Sequence, residues 1–171
     1  MVAKAQDILV ALELSLNDTP RSFAALGEET GLSASEAHSA VRRLTEARLL
    51  DPETQLVQRN ALHNFLVHGV PFVFPARPKE ITRGIPTAWA APMFKWTVAD
   101  PAQLPPVWPD PNGKSQGQAV KPLYPSVPAI ALRNPALYRL LALVDALRLG
   151  RARERKFAEA ELSKDLVDAH T

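Results

Sequence analysis

The chain has 171 residues, 46% of them apolar, no cysteine and a net charge of +2. That length suits one core with a substantial extension, or two small domains. No run approaches the roughly 20 apolar residues of a membrane span, and the lack of cysteine excludes disulfides and thiolate metal sites.

The amino terminus, MVAKAQDILVALELSL, has no continuous apolar stretch and no small-residue cleavage site, so it does not read as a signal peptide. A cytoplasmic protein is expected. Ile8, Leu9, Leu12 and Leu16 give this stretch one apolar face, which predicts a helix from Val2 to about Leu16, ended by Asn17-Asp18-Thr19-Pro20. A second helix is expected from Ser22 to Thr30 and a third from Ala34 to Arg48, with Gly31-Leu32-Ser33 between them. Gly31 supplies the left-handed conformation that ends a helix without steric cost. Ser33 and Glu36 have the S-x-x-E spacing of a capping box, in which side chain and backbone satisfy each other's free groups.

In the third helix Ala37, Val41 and Leu44 make an apolar stripe, and Phe23, Leu26 and Leu32 complete a small three-helix core. The opposite face carries Ser35, Glu36, His38, Ser39, Arg42, Arg43 and Glu46. Such a face suits a DNA major groove, where Arg reads guanine edges and Ser or His bonds bases or phosphates. An ordinary solvated helix face is the alternative. Leu49-Leu50 and Gln55 to Gln58 are expected to form a short hairpin whose tip carries Asp51 and Glu53, acids that oppose phosphate.

Asn60 is placed to cap a helix over Ala61 to His68, and Val70 to Phe74 reads as an edge strand because Pro71 lacks an N–H. Thirteen of the sixteen prolines fall in 71–128, which argues against regular helix or central strand there. Pro105 to Pro109 is expected to be extended, and Asn112 to Gly117 to be a mobile polar loop. Trp108, Leu123 and Tyr124 imply that the segment drapes over a folded body. Asn134, Pro135 and Gly150 delimit a last strong helix with Leu137, Leu140, Leu141, Val144 and Leu147 on its main stripe. A helix so apolar belongs in the core or at a subunit interface. RARERK (151–156) is either a phosphate-binding patch or the solvated start of a final helix.

Charge divides unevenly. Residues 1–70 hold six Lys/Arg against nine Asp/Glu, and residues 71–125 hold six against three. A DNA-binding module at the amino end is therefore acidic, and needs a locally basic helix, a dimer, or cations from the rest of the chain. Arg83 in ITRGIP is either buried in an ion pair or presented to a partner. Trp89 and Trp96 are candidates for stacking on a ligand or single strand, with a hydrophobic mini-core as the alternative.

Enzyme signatures are missing. Gly113-Lys114-Ser115 resembles the end of a phosphate-binding loop, but Trp108 stands where that motif needs glycine. His63 and His68 are five apart, which spreads them over different helix faces, so no metal site and no cofactor are expected.

Residues 1–59, through SFAALGEETGLSASEAHSAVRRLTEARLL, resemble the winged helix-turn-helix domain of bacterial transcriptional regulators of the MarR and IclR type. Arg48 departs from the glycine often found before the wing in those families, and the acidic tip is a second departure. The remainder, with LVHGVPFVFPA, TRGIPTAWAAP, LYPSVP and LYRLLALVDALRLGRARERKFA, is similar to bacterial winged-helix proteins often encoded beside a toxin-like partner. The resemblance implies a homodimeric repressor or autorepressor on double-stranded DNA, contacting it through Ser33, Ser35, His38, Ser39, Arg42 and Arg43. A protein–protein adaptor of antitoxin type is the alternative. The expected fold is α+β, mainly α: residues 1–69 a winged helix-turn-helix, 70–128 an irregular proline-rich region with short strands, and 129–171 a helical segment for dimerisation or partner binding.

Overall fold

The computed structural model describes residues 2–94 and 103–170, and is α+β with helix predominating. Helix α1 (Ala5–Ser15) is followed by α2 (Phe23–Thr30) and α3 (Ala34–Glu46). Their ends are set locally. Ser22 caps α2 by accepting from the Ala25 N–H at 3.1 Å, and Gly31 closes it at φ 74°. The capping box forms: Ser33 Oγ accepts from Glu36 N–H at 3.1 Å, and Glu36 Oε2 accepts from Ser33 N–H at 2.9 Å. Gly31 is required twice, because a Cβ there would lie 2.4 Å from the Ser126 Cβ.

The hairpin after α3 is smaller than expected. One antiparallel bridge, Leu50 with Val57, replaces two strands. Arg48 and Gln55 reverse the chain at φ 62° and 59°, a conformation that costs non-glycine residues about 1–2 kcal/mol. Asp51 shapes the tip. Its carboxylate accepts the Thr54 and Glu53 N–H groups at 2.8 and 2.9 Å, and these bonds hold its pKa below the usual carboxylate value.

Helix α4 (Arg59–His68) follows, and α5 (Val70–Val73) stands where an edge strand was expected. The chain bends at Gly69, whose carbonyl accepts the Phe72 and Val73 N–H groups at 3.0 Å each. Pro71 sits in the first turn, where its missing N–H leaves no bond unmade. Phe72 and Val73 remain exposed, at 77% and 52%.

The proline-rich region is more regular than its composition suggests. Strands β1 (Ile81–Pro86), β2 (Pro106–Pro109) and β3 (Ser115–Ala119) each pair with the other two and close into a small barrel. β1 runs antiparallel to both, while β2 and β3 run parallel. The stretch read as a mobile loop thus supplies most of β3. Three-strand closure tolerates Pro106 and Pro109 because the carbonyls around them still find donors: Gln118 N–H bonds Pro105 O at 2.9 Å, and Thr87 N–H bonds Pro106 O at 3.0 Å.

After α6 (Val127–Arg133), α7 (Pro135–Leu149) has the expected ends, with Asn134 Oδ1 accepting from Leu137 N–H at 3.2 Å and Gly150 at φ 77°. Of the two places its apolar surface allowed, core or subunit interface, it takes the core. Residues from Leu137 to Arg148 are buried almost without break, because α1, α4, α5, α6, α8 (Ala152–Leu166) and the 3-10 turn Ala88–Ala90 surround it. It is the central core helix of one chain. A single hydrophobic cluster extends from Ile8 to Leu166 and includes Trp108.

One polar group lies deep in that cluster. Asp145, 1% exposed, accepts from Thr87 Oγ1 at 2.6 Å, Trp108 Nε1 at 2.7 Å and Arg148 at 2.7 Å. Arg148 also donates to the carbonyls of Phe74 and Lys121. Sheet, 3-10 turn and two loops are thereby keyed to α7 through one satisfied carboxylate. Among the described residues no helix is long and apolar enough to cross a membrane.

Candidate nucleic-acid interface

Helix α3 packs Ala37, Ala40, Val41 and Leu44 inward, which turns its polar residues outward. Ser35, His38 and Arg42 are exposed, and Ser39 is half-buried. Arg42 has no ion pair or side-chain hydrogen bond among the described residues. The His38 ring meets Phe23 edge-on, with centroids 4.7 Å apart, so its orientation is fixed by α2. Ser33 is exposed, but its oxygen is engaged in the cap of α3.

Arg43 is a correction. It was expected on the contact face, yet its guanidinium makes a two-pronged bond to Asp7, Nε to Oδ2 at 2.8 Å and Nη2 to Oδ1 at 2.8 Å. Asp7 is fully buried and also accepts the Lys4 N–H. Its hydrogen bonds to Asp7 raise the Arg43 pKa further. A charge held this way fixes α3 against α1 and is not available to phosphate. Asp7 is the residue that the sequence reading missed. Its place in the first turn of a helix gave no sign that it would be buried.

Other cations of this region are engaged as well. Arg21 bonds Glu13 at 2.8 Å and also Glu29, and Arg59 bonds Asp18 and the Ser15 carbonyl, both at 2.9 Å. Burial pushes the Glu13 pKa up, which the Arg21 guanidinium partly offsets. Arg48 remains. It is exposed, sits just beyond α3 at the mouth of the hairpin and has no partner among the described residues. On α3 and the hairpin mouth the exposed cations are thus Arg42 and Arg48, with Ser35 and His38 on the Arg42 face of the helix; Lys4, ahead of α1, is exposed as well.

The remaining candidates lie elsewhere. Arg83 is exposed on β1. Trp89 is half-buried, carries the Arg151 guanidinium 5.1 Å from its ring centroid, and lines a groove of about 440 Å³ with Pro78, Leu104, Pro106 and Leu149. Trp96 falls outside the described residues. Among the described residues no group of three His, Asp or Glu is placed to hold a metal. Comparison with protein-family models, with curated proteins and with solved structures returns no match.

Proposed function

We propose that this protein is a sequence-specific regulator of transcription that binds double-stranded DNA as a homodimer, with α2, the Gly31 turn, α3 and the following hairpin serving as a winged helix-turn-helix. The observation that carries the reading is the α3 surface. Ser35, His38 and Arg42 project to solvent along one side and Arg48 is exposed just beyond the end of the helix, while the Arg43–Asp7 pair fastens the helix to α1. In that role α3 enters the major groove, Arg42 bonds a guanine edge or a phosphate, and Ser35 and His38 bond bases or backbone. A two-fold dimer would read half-sites roughly 10 base pairs apart. With α7 occupied inside the chain, the dimer contact belongs to another surface.

A gel shift on the DNA upstream of the protein's own gene tests this. Arg42→Ala combined with Arg48→Ala should weaken binding and flatten its salt dependence, without loss of fold, since both side chains are exposed. Unchanged binding would remove α3 as the reading helix.

A second reading is supported by Phe72 and Val73, which α5 leaves exposed. An adaptor or antitoxin-like protein would cover this apolar pair with a partner protein. Stable co-purification with a toxin-like partner, lost on Phe72→Ser and accompanied by no DNA binding, would favour it.

A further inference from the structure

Away from α3, two unpartnered cations converge at one end of the barrel. Arg83 of β1 is the register partner of Gln116 of β3, and Gly84 that of Ser115. Register partners project from the same face of an antiparallel pair, so Arg83 and Gln116 share the outer face. The turn before β3 is pressed onto β1. A Cβ on Gly113 would lie 2.4 Å from the Gly84 backbone, and a Cβ on Gly84 would lie 2.0 Å from the Trp108 carbonyl oxygen. Asp110 N–H to Arg83 O at 3.1 Å, and Gly113 N–H to Asp110 O at 3.0 Å, fix the same turn.

The result is an open basin of about 640 Å³ lined by Arg83 and Lys114 with Asn112, Ser115 and Gln116. Among the described residues no carboxylate lines it and neither cation has an ion-pair partner. The nearby Asp110 carboxylate is turned onto the Asn112 N–H at 2.7 Å. Two like charges placed on one basin by a glycine-locked turn repel each other until an anion arrives, and the locked turn has already lost the freedom that binding would otherwise cost.

We propose that this basin binds a phosphate group. Arg83 supplies the forked N–H donors, Lys114 a point charge, and Ser115 Oγ with the side-chain amides of Asn112 and Gln116 the neutral donors. Its source is either a small phosphorylated compound or the backbone of a nucleic acid. The assignment goes beyond the α3 reading and does not depend on it.

The full chain, followed by amide NMR, is titrated first with inorganic pyrophosphate and then with a DNA duplex. Saturable shifts are expected at 83 and 112–116, with affinity at least about tenfold weaker in Arg83→Gln combined with Lys114→Gln. Both side chains are exposed, so that variant should fold. Saturation by pyrophosphate alone assigns the basin to small phosphorylated compounds. Saturation by the duplex, with a smaller salt slope in the double variant, assigns it to nucleic acid. Unsaturable or scattered shifts with both probes, or saturable shifts unchanged in the double variant, overturn the proposal. Arg42→Ala separates the two readings: it should leave the pyrophosphate shifts intact, whether or not it weakens the duplex.

Discussion

In the helical region of residues 5–68, Arg21, Arg43 and Arg59 each meet a carboxylate, and Arg43 meets one that is fully buried. In the barrel of residues 81–119, Arg83 and Lys114 meet none among the described residues. The first region is the more acidic by count, yet its arginines are mostly internal fastenings, and only Arg42 and Arg48 remain outward. Accessible positive charge is therefore set by which cations lack partners, not by net charge. The two regions also fasten themselves differently: the helices through Arg43–Asp7 at their edge, the barrel through Asp145 beneath it.

The largest expected effect tests the second fastening. Asp145→Ala leaves Arg148 buried without its carboxylate and Trp108 Nε1 without an acceptor, and should cost about 3–5 kcal/mol in urea unfolding. A cost below about 1 kcal/mol would mean that the barrel is held by apolar packing alone.

Arg43→Ala comes next, at about 3 kcal/mol, because Asp7 then keeps a buried charge without its guanidinium. Its neighbour Arg42→Ala should change stability by no more than about 0.5 kcal/mol. Equal effects on stability from the two would erase the distinction between fastening and contact residue.

Arg48→Gly should stabilise the chain by roughly 1 kcal/mol, by relieving the positive φ at the hairpin mouth, while removing one of the two outward arginines of the helical region. Thermal unfolding and the salt slope of DNA binding would then move in opposite senses. No rise in melting temperature would show that the Arg48 side chain compensates its strain.

A last effect appears only in alkali. Burial raises the Tyr138 phenol from 10.0 to about 12. Folding therefore favours the protonated phenol, and this contribution is complete below pH 10 and lost as pH rises through about 12. Tyr138→Phe should flatten the alkaline fall in stability, and the wild-type ultraviolet titration should contain a phenol step near the raised value.

Much of the helical architecture was legible. Ser22, Gly31, Ser33 with Glu36, Asn134, Pro135 and Gly150 marked helix ends where the structure has them, because a cap is made within three or four residues of sequence. The candidate contact face was legible in part. Ser35, His38 and Arg42 followed from helical spacing, whereas Arg43 could not be excluded without knowing of Asp7, 36 residues earlier. VPFVF differs from its expected strand because four apolar residues around one proline fit either a short strand or a single helical turn.

The sequence by itself determined where α2, α3 and α7 begin and end, within a residue or two, and which side of α3 is dry, since both depend on near neighbours. Tertiary structure alone decided that α7 is enclosed, that the proline-rich strands close into a barrel, and which arginines face solvent. Those outcomes rest on partners distant in the chain, β1 with β3, Arg43 with Asp7, Arg148 with Phe74, and a pairing between distant residues leaves no periodicity at either end.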